Sequence, residues 1–295
     1  VILLTGATGT IGSALLRRLT AAGGPVRCMV RDPKRLGPER VRVQIALGDL
    51  ADPSSFRNAL RGVDTVVHLG ASIRDQPRGS IEEVNAMATL RLVRAAERAG
   101  ARRFVFVSAM GASLQSPTRF FRAKALARQA VEASSLDTTV FSPSIVYTPG
   151  DPWLTLLERL SHLPLVPISG SGRALYQPIW AEDVADCIVA ALDHPGVASR
   201  PSSFDLAGPE TLSYEEIVRT ALGPLGRRRR PLAHVPLPLV RAGLRALERL
   251  VGPPVFATWE EAELMEEPMT TSRGTADAEA LGITPLRMGA VLGAA

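Results

Sequence analysis

Three glycines at even spacing, Gly6, Gly9 and Gly12, stand in the run Thr5-Gly6-Ala7-Thr8-Gly9-Thr10-Ile11-Gly12, directly after the apolar Val1-Ile2-Leu3-Leu4. Glycine does no chemistry itself; it makes room for a ligand that does. At Gly6 a strand must turn sharply, through φ > 0 conformations that other residues reach only at a cost. At Gly9 the missing Cβ lets a pyrophosphate approach the main chain, and at Gly12 it lets a helix sit close to a sheet. Thr8, Thr10 and Ile11 complete the loop and count with the glycines as cofactor-binding residues. A helix starting here turns free N–H groups and its positive dipole end toward the phosphates. The implied ligand class is a dinucleotide. A structural turn that binds nothing is the competing reading, and the strand before it and helix after it weigh against that.

Which dinucleotide depends on the end of the second strand. A carboxylate roughly 20 residues after the glycines binds the ribose 2′-hydroxyl of NAD, and Asp32 falls about there. The strand pattern ends at Val30, however, so Arg31 comes first, and a guanidinium suits a 2′-phosphate. Asp32 precedes Pro33, as a turn-forming residue does. NADP is therefore preferred, with NAD as the alternative. Cys28 and Cys187, the two cysteines, lie in apolar segments and suggest no disulfide framework and no metal site. They read as core residues of a protein in a reducing compartment.

These groups need a scaffold, and the chain supplies a doubly wound one. With 295 residues, 46% hydrophobic, it can bury a large core. Ile11, Leu15, Leu16 and Leu19 share one face of a helix over residues 11–22, with Arg17 and Arg18 on the other. Strands are predicted at Val26–Val30, 41–47, 65–69, 104–108, 139–142 and 203–206. Helical spacing covers 53–61, 81–99, 118–133 and 179–191. Strand and helix in alternation predict an α/β fold, a parallel Rossmann sheet covered on both faces, with its ligand crevice at the strands' carboxyl ends. Residues 1–147, rejoined by 179–206, form the dinucleotide-binding part. Residues 148–178 and 207–295, broken by prolines, form a smaller, mostly helical C-terminal lobe over that edge.

Charge and apolar runs narrow the partners. The formal net charge is +5, and the densest cluster, Arg227-Arg228-Arg229-Arg230, reads as a solvated loop. It has no interleaved aromatics and no nucleic-acid motif, so no nucleic-acid partner is expected. No apolar run approaches the ~20 residues of a membrane span. Residues 232–256 are apolar for an enzyme's edge, with Leu244, Leu247, Leu250 and Val251 at helical spacing and Arg241, Arg245 and Arg249 elsewhere. Core packing in the small lobe is the favoured reading, and contact with a membrane surface the other. A cytoplasmic, or membrane-peripheral, location is expected. Val1 already lies within the strand pattern, which leaves a targeting segment ahead of it open.

Several motifs fall in a familiar order: Thr5–Gly12, Gly48-Asp49-Leu50, residues 62–69, Asn85, residues 104–108, Lys124 and Gln177-Pro178-Ile179-Trp180-Ala181-Glu182-Asp183-Val184-Ala185. Over the first two-thirds of the chain this resembles the extended and atypical short-chain dehydrogenase/reductases. It is most similar to the branch containing the nucleotide-binding accessory subunit of respiratory complex I and its bacterial relatives. The resemblance implies that Asp49 accepts a hydrogen bond from the adenine amino group, with Leu50 beside the ring. It implies that Leu69, Gly70 and Ala71 line the cofactor, that Lys124 bonds the nicotinamide ribose, and that Pro143 and Ile145 run past the carboxamide. Taken alone, Asp49 reads as a turn residue, Lys124 as a solvated lysine and His68 as a satisfied core histidine.

One position departs from the family. Redox-active members carry Tyr-x-x-x-Lys, one helical turn apart, in which the lysine lowers the phenol's pKa so that it can exchange a proton with substrate. The matching segment is Phe120-Phe121-Arg122-Ala123-Lys124. Phe120 has no hydroxyl. Lys124 and Ser108 remain as candidate catalytic residues, although Ser108 also fits as the mere end of a strand. Three functions then compete. One is an NADP-dependent reductase of an apolar carbonyl or quinone-like substrate, drawing its proton from Ser108, Tyr147, Tyr176 or water. The second is an NADP-binding structural, assembly or sensing protein without turnover, and the third a nucleotide-sugar epimerase or dehydratase.

Overall fold

The computed structural model describes residues 1–193, 202–228, 230–251 and 258–293, with 247–251 by backbone alone. Seven strands form one sheet: β1 (Ile2–Thr5), β2 (Val26–Val30), β3 (Gln44–Leu47), β4 (Thr65–His68), β5 (Arg103–Val107), β6 (Asp137–Pro143) and β7 (Ser202–Leu206). Their order is β7-β6-β5-β4-β1-β2-β3, and every pairing is parallel. The order reverses at β1, where β4 and β2 flank it, and that reversal opens a crevice above the carboxyl ends of the strands.

Side-chain alternation along the strands divides the core in two. Leu4, Cys28, Val67, Val105 and Phe141 point to one face, against α1 (Thr10–Ala21) and, later in the chain, residues Val184 and Ile188. Leu3, Met29, Val66, Phe104 and Val140 point to the other, against α2 (Ala88–Arg98) and α3 (Arg119–Glu132). Both cysteines are fully buried, and burial pushes each thiol up to about 12.

A further apolar cluster lies outside the sheet. It joins Leu157 from α4 (Pro152–Leu160), Ile217 and Val218 from α6 (Tyr214–Ala221), and Met288 and Leu292 near the end of the chain. Between α4 and α6 comes α5 (Ala181–Asp193), which packs on the sheet. Short strands also knit the outer region, Val166–Ser169 with Leu232–Val235 in parallel and Leu175–Tyr176 with Leu212–Ser213 antiparallel.

Several boundaries differ from those expected, for local reasons. The third strand starts at Gln44 rather than Val41, because the preceding 3-10 stretch carries Pro38 and a kink at Gly37. Residues 53–61 form a 3-10 turn and one short helical turn instead of a continuous helix. The helix expected from 179 starts at Ala181, since Ile179–Trp180 pairs with Val146–Tyr147. Arg17 and Arg18 do not simply face solvent: Arg18 bonds both Asp186 and Glu182 on α5, and Arg17 bonds Glu182. An arginine fork joining two carboxylates fixes the two helices side by side.

In the C-terminal third, α7 (Leu237–Val251) packs on α8 (Trp259–Leu264), where Arg241 and Arg245 lie over the Trp259 ring at 4.3 and 4.6 Å. Leu237, Val240 and Leu244 are half-buried and Leu239 is exposed, so no described side chain of α7 is a core residue. Residues 252–257 and the side chains of Leu247, Leu250 and Val251 lie outside the described structure. Arg227 donates to Ser161 Oγ at 2.9 Å, which ties part of the arginine cluster to α4's end; Arg229 is not described.

Backbone meets backbone closely at Gly12, where an added Cβ would fall 2.0 Å from the Gly6 carbonyl oxygen. Gly12→Ala forces α1 away from the turn and is expected to destabilise the protein by about 1–3 kcal/mol, the usual range for overpacking. Urea unfolding measures this, and an unchanged midpoint would show that the helix has room to shift.

Candidate functional site

The three glycines are required for different reasons. Gly6 has φ +74°, and a Cβ there would fall 2.6 Å from Gly70 N, so both its conformation and its surroundings demand glycine. Gly12 is demanded by close packing, as above. Gly9 is demanded by neither: its backbone is extended, and a Cβ would meet only Gly6 O, at 3.4 Å. The space above Gly9 is therefore free for a molecule other than the protein. Nor does any side chain cap α1 at Gly9, whereas Thr118, Asp151, Ser213 and Thr258 each cap their own helices. Uncapped N–H groups at a helix start suit an anion, so the residues present fit a dinucleotide's diphosphate.

A cleft of about 430 Å³ opens there. Gly6, Thr8 and Gly9 line it from the turn after β1, Arg31, Asp32 and Arg35 from beyond β2, and Asp49 and Leu50 from beyond β3. Leu69, Gly70, Ala71, Ser72, Gln76 and Arg78 line it from beyond β4. Thr10, Ile11 and Gly12 do not border it; Ile11 packs against the core under α1. Arg35 and Arg78 escaped sequence reasoning because neither sits in a motif, and only the fold brings their loops together.

Asp32 Oδ1 accepts the Lys34 N–H at 2.9 Å and caps the 3-10 stretch Pro33–Val41, as a turn residue would. Arg31 beside it is exposed and has no ion-pair partner among the described residues. Asp49 both turns the chain and faces the cleft: Oδ1 accepts the Ala51 N–H at 3.1 Å.

A buried polar chain holds the β4 side in place. Thr5 Oγ1 and His68 Nδ1 lie 2.6 Å apart, His68 Nε2 and Thr89 Oγ1 2.9 Å, and Thr89 Oγ1 donates to Asn85 O at 2.6 Å. Since the Thr89 proton goes to Asn85, Nε2 must carry the histidine proton and Nδ1 must accept from Thr5. Burial, with the Lys124 charge nearby, lowers the His68 pKa to about 3. This is a core histidine, not a base. Asn85 lies in a wide π-type turn at Glu83–Met87 and clamps the loop after β4: Oδ1 accepts the Ser72 N–H at 3.2 Å and Nδ2 donates to Ser72 O at 2.7 Å.

The expected catalytic end lies beyond β5 and outside the cleft lining. Lys124 is not a solvated lysine: it is 3% exposed, Nζ donates to Val107 O at 2.7 Å, and it lies over the rings of Phe106 and Phe120 at 4.8 and 5.9 Å. Burial lowers its pKa to about 7. Ser108 continues the β5 ladder, its N–H bonding Phe141 O at 2.7 Å, and its buried hydroxyl has no protein partner. Pro143 O accepts the Met110 N–H at 2.9 Å, which brings the segment containing Pro143 and Ile145 alongside. Phe120, Phe121, Ala109, Leu264, Met265 and Met269 make this end apolar. Tyr147 and Tyr176 are fully buried in the outer cluster, and burial raises both phenols, the wrong direction for a proton donor.

The fold and the glycine turn define a dinucleotide-binding Rossmann protein. The NAD(P)H-binding family matches residues 6–195, and the chain belongs to that family, with a nicotinamide dinucleotide as its cofactor class. The chain is 31% identical to the NAD(P)H azoreductase of Xenophilus azovorans, over 82% of this chain and 79% of that one. It is 30% identical to the mitochondrial NADH dehydrogenase [ubiquinone] 1 alpha subcomplex subunit 9 of Arabidopsis thaliana, over 72% of this chain but only 54% of that protein. The ceramide reductase of Caulobacter vibrioides is 29% identical, over 92% and 86%. Among solved structures, a Staphylococcus aureus nucleoside-diphosphate-sugar epimerase superposes with TM-score 0.77 at 19% identity, covering 99% of both chains, a likeness of fold. Among the described residues no helix is long and apolar enough to cross a membrane, and no group of side chains could hold a metal ion.

Two outcomes follow from this geometry. Gly9→Ala should fold with a melting temperature near that of the parent while losing cofactor affinity in a fluorescence titration; retained affinity would mean that the ligand lies elsewhere. His68 is neutral when folded and protonates near 6.5 when unfolded, so the unfolded state binds the extra proton between those pKa values. Stability should therefore fall as pH drops from 6.5 toward 3, and His68→Gln should flatten that part of the profile in urea titrations at successive pH values.

Proposed function

We propose that the protein is an NADP(H)-dependent oxidoreductase acting on an apolar carbonyl or quinone-like acceptor without a tyrosine acid. One juxtaposition carries the reading: Lys124 Nζ, held on Val107 O at 2.7 Å, faces the ring of Phe120 where a phenol would have to stand. The uncapped start of α1 takes the diphosphate and Arg31 the 2′-phosphate. Asp49 accepts from the adenine amino group with Leu50 beside the ring, and Leu69, Gly70 and Ala71 line the cofactor beyond β4. Lys124 has N–H groups beyond the one given to Val107 and reaches for the nicotinamide ribose, with Pro143 and Ile145 bordering the ring. When bound, the nicotinamide supplies a hydride.

The reduced acceptor must also gain a proton, and here the chain constrains the substrate. Ser108 offers an unpartnered buried hydroxyl at this end, as does Ser142 on the neighbouring β6, and Ser108 relays a solvent proton to the acceptor. A serine hydroxyl is a much weaker acid than a lysine-assisted phenol, so acceptors whose reduced anion is stable in water react best. Quinones meet that condition as hydroquinone anions, and enones come nearer to it than simple ketones because their enolate is delocalised. The apolar cluster of Phe120, Leu264 and Met269 favours a substrate with little charge. The azoreductase and ceramide reductase relatives support a reductase. A second reading, cofactor binding without turnover, is favoured by Phe120 itself and by the likeness to a complex I subunit.

NADPH oxidation followed with a panel of quinones, enones and ketones decides between them. Oxidation above background that Lys124→Ala abolishes is the expected result, and Phe120→Tyr should add turnover on simple ketones. Tight NADPH binding with no oxidation on any acceptor would sink the reductase and leave the binding protein.

A further inference from the structure

We propose that Arg78 is a cofactor-binding residue that grips the bridging diphosphate of the dinucleotide, from an arm of the chain beside β4. The inference rests on the cleft holding a dinucleotide and adds a contact that the glycine turn does not predict.

The arm is built to hold its tip still. Gln76 and Gly79 exchange both backbone hydrogen bonds, at 2.9 and 3.1 Å, so Pro77 and Arg78 form the two-residue turn of a small hairpin. Proline fixes one φ of that turn. At the base, Gln76 Nε2 donates to Ser72 Oγ at 3.0 Å and Asp75 Oδ1 accepts the Ile81 N–H at 2.8 Å. Arg119 of α3 bonds Asp75 and Glu82 on either side of the turn. Gly79 packs so tightly on Val84 that a Cβ would fall 3.1 Å from its Cγ2.

Charge singles out Arg78. Arg74, four residues earlier, pairs with Glu261, and Arg119 pairs with Asp75 and Glu82. Arg78 lines the cleft, is exposed, and has no ion pair or side-chain hydrogen bond among the described residues. The sheet order then says which phosphate it meets. β1 lies between β2 and β4, so Arg31 and Arg35 stand on one side of the glycine turn and Arg78 on the other. The diphosphate belongs over the glycine turn and the 2′-phosphate beyond β2. A guanidinium from the β4 side therefore closes on the diphosphate from across the N–H groups of α1. Its planar fork matches two phosphate oxygens, as an ammonium does not.

The test is a fluorescence titration of the full chain with NADPH and NADH. Arg78→Ala should weaken both cofactors alike, by about tenfold or more, and Arg78→Lys, which keeps the charge without the fork, should fall between. Arg31→Ala, beside β2, should weaken NADPH alone. Unchanged affinities in Arg78→Ala, or a loss confined to NADPH, overturn the proposal. A parent protein that binds neither cofactor would instead overturn the reading of the cleft, and the two failures are distinct.

Discussion

The contact between Gly12 and the carbonyl of Gly6 is the constraint on which the rest depends. It brings the first turn of α1 against the end of β1, closer than any residue with a side chain allows. From that approach follow the position of the uncapped N–H groups, the open space above Gly9 and the line along which α1 crosses the sheet. Arg18 then carries the line of α1 over to α5 through Glu182 and Asp186. The candidate phosphate site and the packing of one face of the sheet are thus set by the same few atoms.

Buried polarity is arranged around this site with unequal cost. The Thr5–His68–Thr89–Asn85 chain is fully satisfied, and a satisfied network rigidifies what it joins. It links β1, β4 and the helix behind them, and so fixes two walls of the cleft. Lys124 is less comfortable: one carbonyl and two aromatic faces receive an ammonium that burial disfavours. A buried ammonium of this kind carries a stability cost, and strongly perturbed groups gather at functional sites.

Much of the architecture was legible in the sequence, because β1, the glycine turn and α1 are coded within about a dozen adjacent residues. The turn role of Asp32 was legible too, since Pro33 follows it. The burial of Lys124 was not: a lone lysine on a helix reads as solvated, and here Phe106 and Phe120 meet it in space. Arg78 was invisible for a related reason, a loop residue given meaning by the strand order. The start of α5 was misplaced because Ile179 and Trp180 read as helical until Val146 and Tyr147 pair with them. Local signals carry turns and helix starts; long-range pairings override them at the edges.

The π-type turn at Glu83–Met87 has a consequence for how this protein can change over time. An extra residue in one helical turn rotates everything before it by about 100° relative to everything after it. Here that rotation lets Asn85 reach the Ser72 backbone while Leu92, Val93 and Ala96 still face the sheet. A single-codon deletion in this stretch would restore a regular helix yet could not satisfy both ends at once. The length of this segment is therefore as constrained as the identity of its residues, although it looks like an ordinary helix entry in which insertions and deletions would be cheap.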